Sequence, residues 1–362
     1  MSDYFEIDFL DVESKKSGDA IPLRYRLGAN TFIHVVDGGY QSTGASVVEH
    51  INKYYDNPPF IDHVVATHHD GDHAGGLRTV LETYEVGALW MLRPWLYAGE
   101  LIERFQRYTN SENLATKLRE AFPNFAALED IANAKGIPIL EPLQGATIGA
   151  FTVLAPSRQR FLDLVVESER TPDFFEEASF AADAVRDFLG ELVVKALQMV
   201  NADWGVEKFS SEATSTENRM SVVQYANLCG KKILLTADVD VEGLQEAADY
   251  APWVGLYLPG VDRFQVPHHG SRRNVSTDIL NTWLGPILPA QLPQGQETWT
   301  AIISSAKEDT HHPRKSVQRA MIHRGGRITQ TEGTSVRTSS NAPNREGWVS
   351  TPLIPYPTEQ ED

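Results

Sequence analysis

The feature that most constrains this chain of 362 residues is a short polar segment, 67–76, that directly follows an apolar strand pattern. The segment reads THHDGDHAGG and holds four strong metal-binding side chains within six positions: His68, Asp70, Asp72 and His73. Residues 62–67 before it are typical of a short buried strand, and residues 76–84 are typical of a helix. In a tight loop between them, alternate side chains can turn toward one centre. The segment therefore predicts a strand–loop–helix unit that holds a divalent metal ion.

The same segment has a second interpretation, in which it is an ordinary polar turn whose aspartates cap the helix. One histidine or one aspartate alone would favour that interpretation. Four donors in this order favour a metal site instead. Neutral imidazole and carboxylate together suit a borderline divalent ion, so zinc and manganese are the candidates.

Composition excludes several classes of protein. Hydrophobic residues make up 41% of the chain, which is enough to fill a core, so a disordered or fibrous chain is excluded. The single cysteine, Cys229, excludes a disulfide framework within the chain and a cysteine-based zinc site. No stretch approaches the roughly 18–20 apolar residues that span a bilayer, and the first residues do not resemble a secretory signal. We therefore expect a cytoplasmic protein without membrane contact.

The charge is negative and unevenly distributed. The chain has 49 acidic and 32 basic residues and a formal net charge of −17, which is the wrong sign for a protein that coats long nucleic acid. Residues 100–217 hold 20 acidic and 11 basic residues, whereas residues 260–345 hold 6 acidic and 11 basic ones. The second region could therefore attract a small anion.

The pattern along the chain indicates a domain that is interrupted once. Strands are predicted at 4–10, 20–25, 30–36 and 62–67, a turn at 37–39 and helices at 46–55 and 76–84, so strands and helices alternate over the first 95 residues. Strand patterns return at 220–228 and 232–235. The stretch between these two regions is mostly helical in pattern, with one strand pair predicted at 146–154. The prediction has three parts: a domain formed by 1–96 and 218–338, a mostly helical insertion at 97–217 that caps it, and a C-terminal tail at 339–362.

Segment 67–76 resembles the His-x-His-x-Asp-His signature of the metallo-β-lactamase superfamily, with Asp70 in place of the second histidine. That replacement is typical of the branch that resembles the hydrolase domain of the competence protein ComEC. Further segments resemble other parts of this branch in the right order: 9–12 with 18–20, 36–39, 233–238, 266–271 and 310–313. The resemblance covers residues 4–95 and 218–325, and it implies a four-layer αβ/βα sandwich with a helical insertion.

The resemblance also implies two divalent metal ions, zinc or manganese, about 3.5–4 Å apart with a hydroxide between them. The implied ligands of the first ion are His68, Asp70 and Asp238. Those of the second ion are Asp72, His73, Asp238 and His268. Asp238 would contact both ions. Asn218 stands where many members carry a histidine of the first site, and the resulting oxygen-rich set raises the odds of manganese over zinc.

Three residues are predicted to act in catalysis: Asp72, His269 and His312. Asp72 would act on the bridging water as well as bind metal. Of the adjacent pair, we expect His268 to bind the ion and His269 to contact substrate or support a ligand, although the sequence leaves the choice open. His312 would serve as a general acid. The alternative for His312 is that it caps the helix predicted at 314–323.

Predicted substrate contacts lie near the ligand loops: Asn218, Ser271, Arg272 and Arg273. Guanidinium groups bind phosphate oxygens through paired hydrogen bonds, which favours a compact phosphoester. The alternative is a solvated charged face that balances the acidic insertion. Aromatic residues of the insertion, among them Phe174, Phe175 and Phe180, either stack on a base or form its core.

These observations predict a metal-dependent hydrolase, a phosphodiesterase or nuclease-like enzyme that acts on a nucleotide, short oligonucleotide or other phosphoester. Long nucleic acid is not the expected substrate. One alternative is a lactone, thioester or lactam hydrolase on the same scaffold. Another is a non-catalytic metal-binding sensor that serves a protein partner through the insertion.

Overall fold

In the computed structural model, which describes residues 2–12, 15–171 and 198–362, the first elements lie where the sequence predicts them. The strand predicted at 30–36 is Asn30–Gly38, and the helix predicted at 46–55 is Gly44–Tyr54. The insertion aromatics Phe174, Phe175 and Phe180 lie outside the described residues.

The first large sheet has seven strands, in the spatial order β15-β1-β2-β3-β4-β5-β6. Their bounds are β1 (Tyr4–Phe9), β2 (Ala20–Leu27), β3 (Asn30–Gly38), β4 (Phe60–Val65), β5 (Glu85–Trp90), β6 (Ile139–Leu140) and β15 (Val336–Ser340). The pairs from β3 to β6 are parallel, and those from β15 to β3 are antiparallel.

The second large sheet also has seven strands, in the order β14-β13-β12-β11-β10-β8-β7. Their bounds are β7 (Thr147–Ile148), β8 (Phe151–Ala155), β10 (Val223–Leu228), β11 (Lys231–Leu235), β12 (Arg263–Gln265), β13 (Trp299–Ile303) and β14 (Gly326–Gln330). The pairs from β11 to β14 are parallel. Both sheets therefore have one parallel half and one antiparallel half.

Helices of the described residues lie between these strands. Their bounds are α1 (Gly44–Tyr54), α2 (Gly71–Ala74), α3 (Leu77–Thr83), α4 (Ala98–Leu101), α5 (Ser111–Ala121), α6 (Pro123–Lys135), α7 (Arg158–Glu167), α8 (Thr216–Arg219), α9 (Val241–Tyr250), α10 (Thr277–Leu284) and α11 (Lys315–His323). On the first sheet, α3 packs between α1 and α6; on the second, α9 packs against β8 and α11 against β14. No helix of the described part of the chain is long and apolar enough to span a bilayer.

The two sheets face each other across a shared core. Buried side chains of both sheets, such as Ile7 of β1 and Ile233 of β11, belong to one apolar cluster. A hydrogen bond also crosses the interface, where the Tyr25 hydroxyl accepts the backbone N–H of Ala150 at 2.9 Å. Two large sheets with helices packed on them confirm the predicted αβ/βα sandwich.

The stretch predicted as an insertion contributes both helices and strands. It contains α4–α7, and its strands β6, β7 and β8 extend the edges of the two large sheets. The tail also has regular structure, because β16 (Glu359–Glu361) pairs with β9 (Met199–Asn201). Arg345 of the tail binds the buried carboxylate of Asp8 with both terminal nitrogens, at 2.9 and 2.8 Å.

Glu207 ties the segment before α8 to the helices of the second sheet. Its carboxylate accepts hydrogen bonds from His323 Nδ1 at 2.8 Å and from both terminal nitrogens of Arg324 at 2.5 and 3.1 Å. The Thr277 hydroxyl donates a further bond at 2.9 Å. Burial alone would raise the pKa of Glu207, but the bonds from His323 and Arg324 lower it below its usual 4.5.

We expect Glu207→Gln to lower the free energy of unfolding by roughly 3–5 kcal/mol at pH 7, because one partner of a buried ion pair is removed. The folded-state pKa lies below the unfolded one, so this contribution is present above about pH 4.5 and is lost as the pH falls through the folded value. Urea unfolding of both proteins at pH 7 and at low pH measures it. The exposed Glu308→Gln is the control. A pH-independent difference would contradict the role assigned to this pair.

Candidate metal centre

The candidate metal centre lies at the edge where the parallel halves of both sheets end. The ligand loop follows β4, the segment with Asp238 follows β11, and His268 and His269 follow β12. The carboxyl ends of parallel strands share an edge, where open α/β sheets commonly bind ligands. The topology therefore brings together polar side chains that are far apart in the sequence.

Three histidine nitrogens surround the Asp238 carboxylate. His73 Nε2 lies 3.3 Å from Asp238 Oδ1, and His269 Nε2 lies 3.8 Å from the same oxygen. His68 Nε2 lies 3.9 Å from Asp238 Oδ2. Ligand atoms of two sets lie within 4.8 Å of one another: His68, His73 and Asp238, and Asp72, His73 and His269.

Four of these atoms are buried and have no hydrogen-bond partner among the described residues: His68 Nε2, His73 Nε2, His269 Nε2 and Asp238 Oδ1. Leaving a buried polar atom unsatisfied costs roughly 1–3 kcal/mol, so four at one point indicate a missing partner. Neutral imidazole nitrogens and a carboxylate are all electron-pair donors. The group therefore fits a bound divalent cation.

Supporting side chains orient the ligand nitrogens toward the centre. His73 Nδ1 donates to Asp37 Oδ2 at 2.8 Å, and His269 Nδ1 donates to the Ser304 carbonyl oxygen at 2.9 Å. Both acceptors hold the proton on Nδ1, which leaves the Nε2 lone pair free for a metal. This arrangement is common around metal-binding histidines. Asp37 also accepts the Thr67 backbone N–H and hydroxyl, so it holds the start of the ligand loop.

The carboxylates give the centre a strongly negative field. Burial opposes the charged forms, but Asp238 and Asp37 raise the pKa of His73 well above its usual 6.5. Asp238 and the nearby carboxylate of Asp72 likewise raise the pKa of His269 to about 9. Without metal, protons on these rings balance the carboxylates, so metal binding must release them.

Asp70 and Asp72 lie at the rim of the centre. Asp70 Oδ2 is 3.8 Å from His68 Nε2, although Asp70 is outside both ligand sets above. Asp72 Oδ2 lies 3.8 Å from His269 Nε2. Burial raises the pKa of Asp72, but the nearby ring of His269 and the charge of His73 lower it to about 2. Asp72 therefore belongs to a ligand set with His73 and His269, whereas Asp70 lies near His68 alone among the three histidines.

The two adjacent histidines have different surroundings. His269 belongs to the ligand sets, whereas His268 Nε2 lies 3.7 Å from Asp238 Oδ2 and His268 Nδ1 bonds to Asn274 Oδ1 at 2.9 Å. The ligand sets contain His269 and not His268, so we expect His269 to bind the ion, which is the alternative that the sequence left open. Both residues have left-handed backbone, with φ of 47° and 56°, and this conformation sets the direction of each ring.

Left-handed backbone recurs around the centre at residues other than glycine. Asp37 has a φ of 55° and Ala237, beside Asp238, has a φ of 46°. Such residues are uncommon and cost energy. With His268 and His269, they aim side chains at one point, which is typical of functional sites.

The predicted substrate residues occupy varied positions. Asn218 is buried on α8, and its Nδ2 donates to Thr214 Oγ1 at 3.1 Å and lies 3.3 Å from His268 Nδ1. Ser271 is buried and its hydroxyl accepts the Arg273 N–H. The guanidinium of Arg272 donates to the Asp362 carbonyl oxygen, and that of Arg273 pairs with Glu212. Asn218 and Ser271 thus support the His268 loop.

His312 lies beside the centre and is held by an aspartate. Its ring stacks on that of His268, with centroids 5.4 Å apart, and its Nδ1 bonds to Asp309 Oδ2 at 3.2 Å. Ser17 donates its N–H and hydroxyl to the same Asp309 oxygen. Burial lowers the pKa of His312. His312 therefore has a fixed orientation at the rim and is not merely a helix cap.

Several supporting residues were not identified from the sequence. Asp37 was interpreted only as part of a turn, and Asn274, which donates to the Asp238 and Val239 carbonyl oxygens, carried no signal. The position of Asp37 directly after a buried strand was the available clue. The ring of His69, by contrast, packs on the ring of Phe122, with centroids 4.9 Å apart.

One comparison with known proteins covers the ligand loop. Residues 28–146, which include this loop, match a family model described as "Metallo-beta-lactamase superfamily". Curated protein sequences gave no match. Among solved structures, the chain is similar to one titled "Crystal structure of hydrolase AbOPH in beta lactamase superfamily", with 9% identity, a TM-score of 0.29, and coverage of 61% of this chain and 56% of that chain. The likeness thus spans less than two thirds of that chain.

We expect His269→Ala to remove one bound metal ion per chain, because its Nε2 faces Asp238, whereas His268→Ala should retain the wild-type metal content. Elemental analysis after dialysis against Mn²⁺ or Zn²⁺ measures both. The two neighbouring substitutions are matched controls for each other. The reverse pattern would restore the sequence-based assignment.

Asp37→Asn should weaken metal binding by roughly 10–100-fold, as is usual for a partner of a ligating histidine. The amide keeps the size of the side chain but can present its NH₂ group to His73 Nδ1. Calorimetric titration of the metal-free protein with Zn²⁺ measures the change. Unchanged affinity in a folded variant would show that Asp37 does not support His73.

Proposed function

We propose that this chain, which matches the metallo-β-lactamase superfamily model over residues 28–146, belongs to that superfamily and is a two-metal hydrolase of phosphoesters. Its relation to the ComEC-like branch is part of the same proposal and is based on Asp70 in the ligand loop. The proposed substrates are nucleotides, short oligonucleotides or other compact phosphodiesters.

One observation carries the proposal: four buried, unsatisfied donor atoms converge between the two sheets. No purely structural role explains three histidine nitrogens and one carboxylate oxygen that face each other without bonds. Two overlapping ligand sets share His73, which supports two adjacent ions. Asp238 lies between all three histidines and is the candidate bridge.

Divalent ions held there would supply Lewis acidity and a water of lowered pKa at neutral pH. The residues of the chain then have distinct tasks. Asp238 and the three histidines hold the ions, and Asp72 at the rim can accept a proton from the attacking water. His312, oriented by Asp309, is placed to donate a proton to the leaving oxygen. Asp37 and Ser304 keep His73 and His269 in the required tautomer.

The chemistry of the site favours phosphoesters over amides or thioesters. Carboxylates at positions 70, 72 and 238 provide hard oxygen ligands, which suit manganese as well as zinc. Basic side chains lie near the His268 loop: Arg272, Arg273 and Arg314. Each guanidinium has five donors, so the contacts of Arg272 and Arg273 with acidic partners leave others that can meet a phosphate.

The described part of stretch 97–217 is proposed to flank the rim and contribute to substrate choice. Phe122 of α6 packs on His69 beside the ligand loop. Arg170 lies 3.4 Å from Asp70 Oδ1 and is half-exposed. These contacts support a place for this part of the chain beside the ligand loop, and a protein partner could act through it.

The test is a panel of substrates with metal-free protein reloaded with Mn²⁺ or Zn²⁺. We expect metal-dependent cleavage of bis(p-nitrophenyl) phosphate and no turnover of nitrocefin or a thioester. Asp72→Asn should lower kcat by at least about a hundredfold, as for loss of a general base, while the metal content of the variant stays measurable.

Two outcomes would contradict the proposal. Cleavage of nitrocefin or a thioester without phosphodiesterase activity would favour the alternative hydrolase. Metal binding without turnover of any substrate class would favour a sensor.

A further inference from the structure

The segment directly before β2, which contains Gly18 and Asp19, packs against the ligand loop. The backbone N–H of Asp19 donates to the Asp72 carbonyl oxygen at 3.1 Å, and the Asp19 carbonyl oxygen accepts the Gly39 N–H at 2.6 Å. A Cβ atom at Gly18 would lie 2.7 Å from the same Asp72 oxygen. Glycine is therefore required there, and the backbone of Asp19 is held against the metal-binding loop.

One oxygen of the Asp19 carboxylate has a defined structural partner. Oδ2 accepts a hydrogen bond from Gln265 Nε2 at 2.8 Å. Gln265 Oε1 accepts the backbone N–H groups of Thr236 and Ala237 at 2.8 and 3.2 Å, so its NH₂ group must face Asp19. Gln265 thereby connects Asp19 to the segment that carries Asp238.

The other oxygen, Oδ1, is buried and has no hydrogen-bond partner among the described residues. Asp19 is only 1% exposed, so bulk water does not solvate this oxygen. Ligand atoms of Asp19, Asp238 and His269 lie within 4.8 Å of one another. A purely structural role explains Oδ2, which holds Gln265, but it does not explain the unsatisfied Oδ1 of a carboxylate that shares a ligand set with two metal-facing groups.

We propose that Asp19 is a further metal ligand, through Oδ1, for the ion that Asp238 and His269 hold, and that it biases the centre toward Mn²⁺ over Zn²⁺. With Asp19, four carboxylates face three imidazoles across the centre: Asp19, Asp70, Asp72 and Asp238 against His68, His73 and His269. Oxygen-rich sets favour harder ions. The inference depends on the metal binding in the proposed function and not on the reaction or substrate.

Asp19→Asn tests this inference because the amide keeps the size of the side chain and its oxygen can still accept from Gln265. Metal-free protein is titrated calorimetrically with MnCl₂ and with ZnCl₂. We expect the Mn²⁺ affinity of one site to fall at least about tenfold, with a smaller loss for Zn²⁺ and an unchanged melting temperature in EDTA. The matched control is Asp62→Asn on β4, whose carboxylate accepts the Ile33 N–H at 2.8 Å.

Wild-type affinity and stoichiometry for Mn²⁺ in the Asp19→Asn protein would overturn the inference. Equal losses for both metals would overturn the selectivity. If the variant does not fold, wild-type crystals soaked in MnCl₂ test the same ligand assignment. An anomalous peak within roughly 2.4 Å of Asp19 Oδ1 supports ligation. A separation above about 3 Å overturns it. These measurements need no turnover. A chain that binds metal but hydrolyses no substrate would therefore contradict the proposed function without contradicting this inference.

Discussion

The carboxylate of Asp238 is the group on which the organisation of this structure depends. It is almost fully buried, and an isolated buried carboxylate would be very costly. Burial alone would raise its pKa, but His73, His268 and His269 hold that pKa well below its usual range. A buried negative charge thus requires positive charge around it. The protein meets this requirement with protonated histidines or with metal ions, and the unsatisfied Nε2 atoms favour the second.

The sandwich supplies the rigidity that this charge cluster needs. Each sheet has a parallel half, and the loops after β4, β11 and β12 leave these halves at one edge. Side chains then join the two sheets across the edge. Gln265 connects Asp19 of the first sheet to the backbone of Thr236 and Ala237 in the second. Candidate metal ligands next to the two sheets are thereby held together, and the bond from the Ala237 N–H to Gln265 supports the left-handed backbone of Ala237.

The centre divides into a buried floor and an accessible rim. His73, His269 and Asp238 form the floor and are shielded from water. The rim is more open, because Asp70 and Asp72 keep about a quarter of their side-chain surface exposed and His268 and His312 are partly exposed. A metal ion at the floor would meet the strongest electrostatic interactions, because burial strengthens them. The rim is the part of the centre that solvent can reach.

The sequence by itself determined the alternation of strands and helices over the first 95 residues, the ligand loop at 68–73 and the position of Asp238 after a strand, because these features follow from local periodicity and residue chemistry. It also predicted the strand pair near residues 146–154, which is observed as β7 and β8. Only the tertiary structure revealed the left-handed backbone at His268 and His269, which sets the directions of the two rings. It likewise revealed the supporting roles of Asp37 and Gln265 and the unsatisfied oxygen of Asp19, because a contact between strands far apart in the sequence leaves no local pattern.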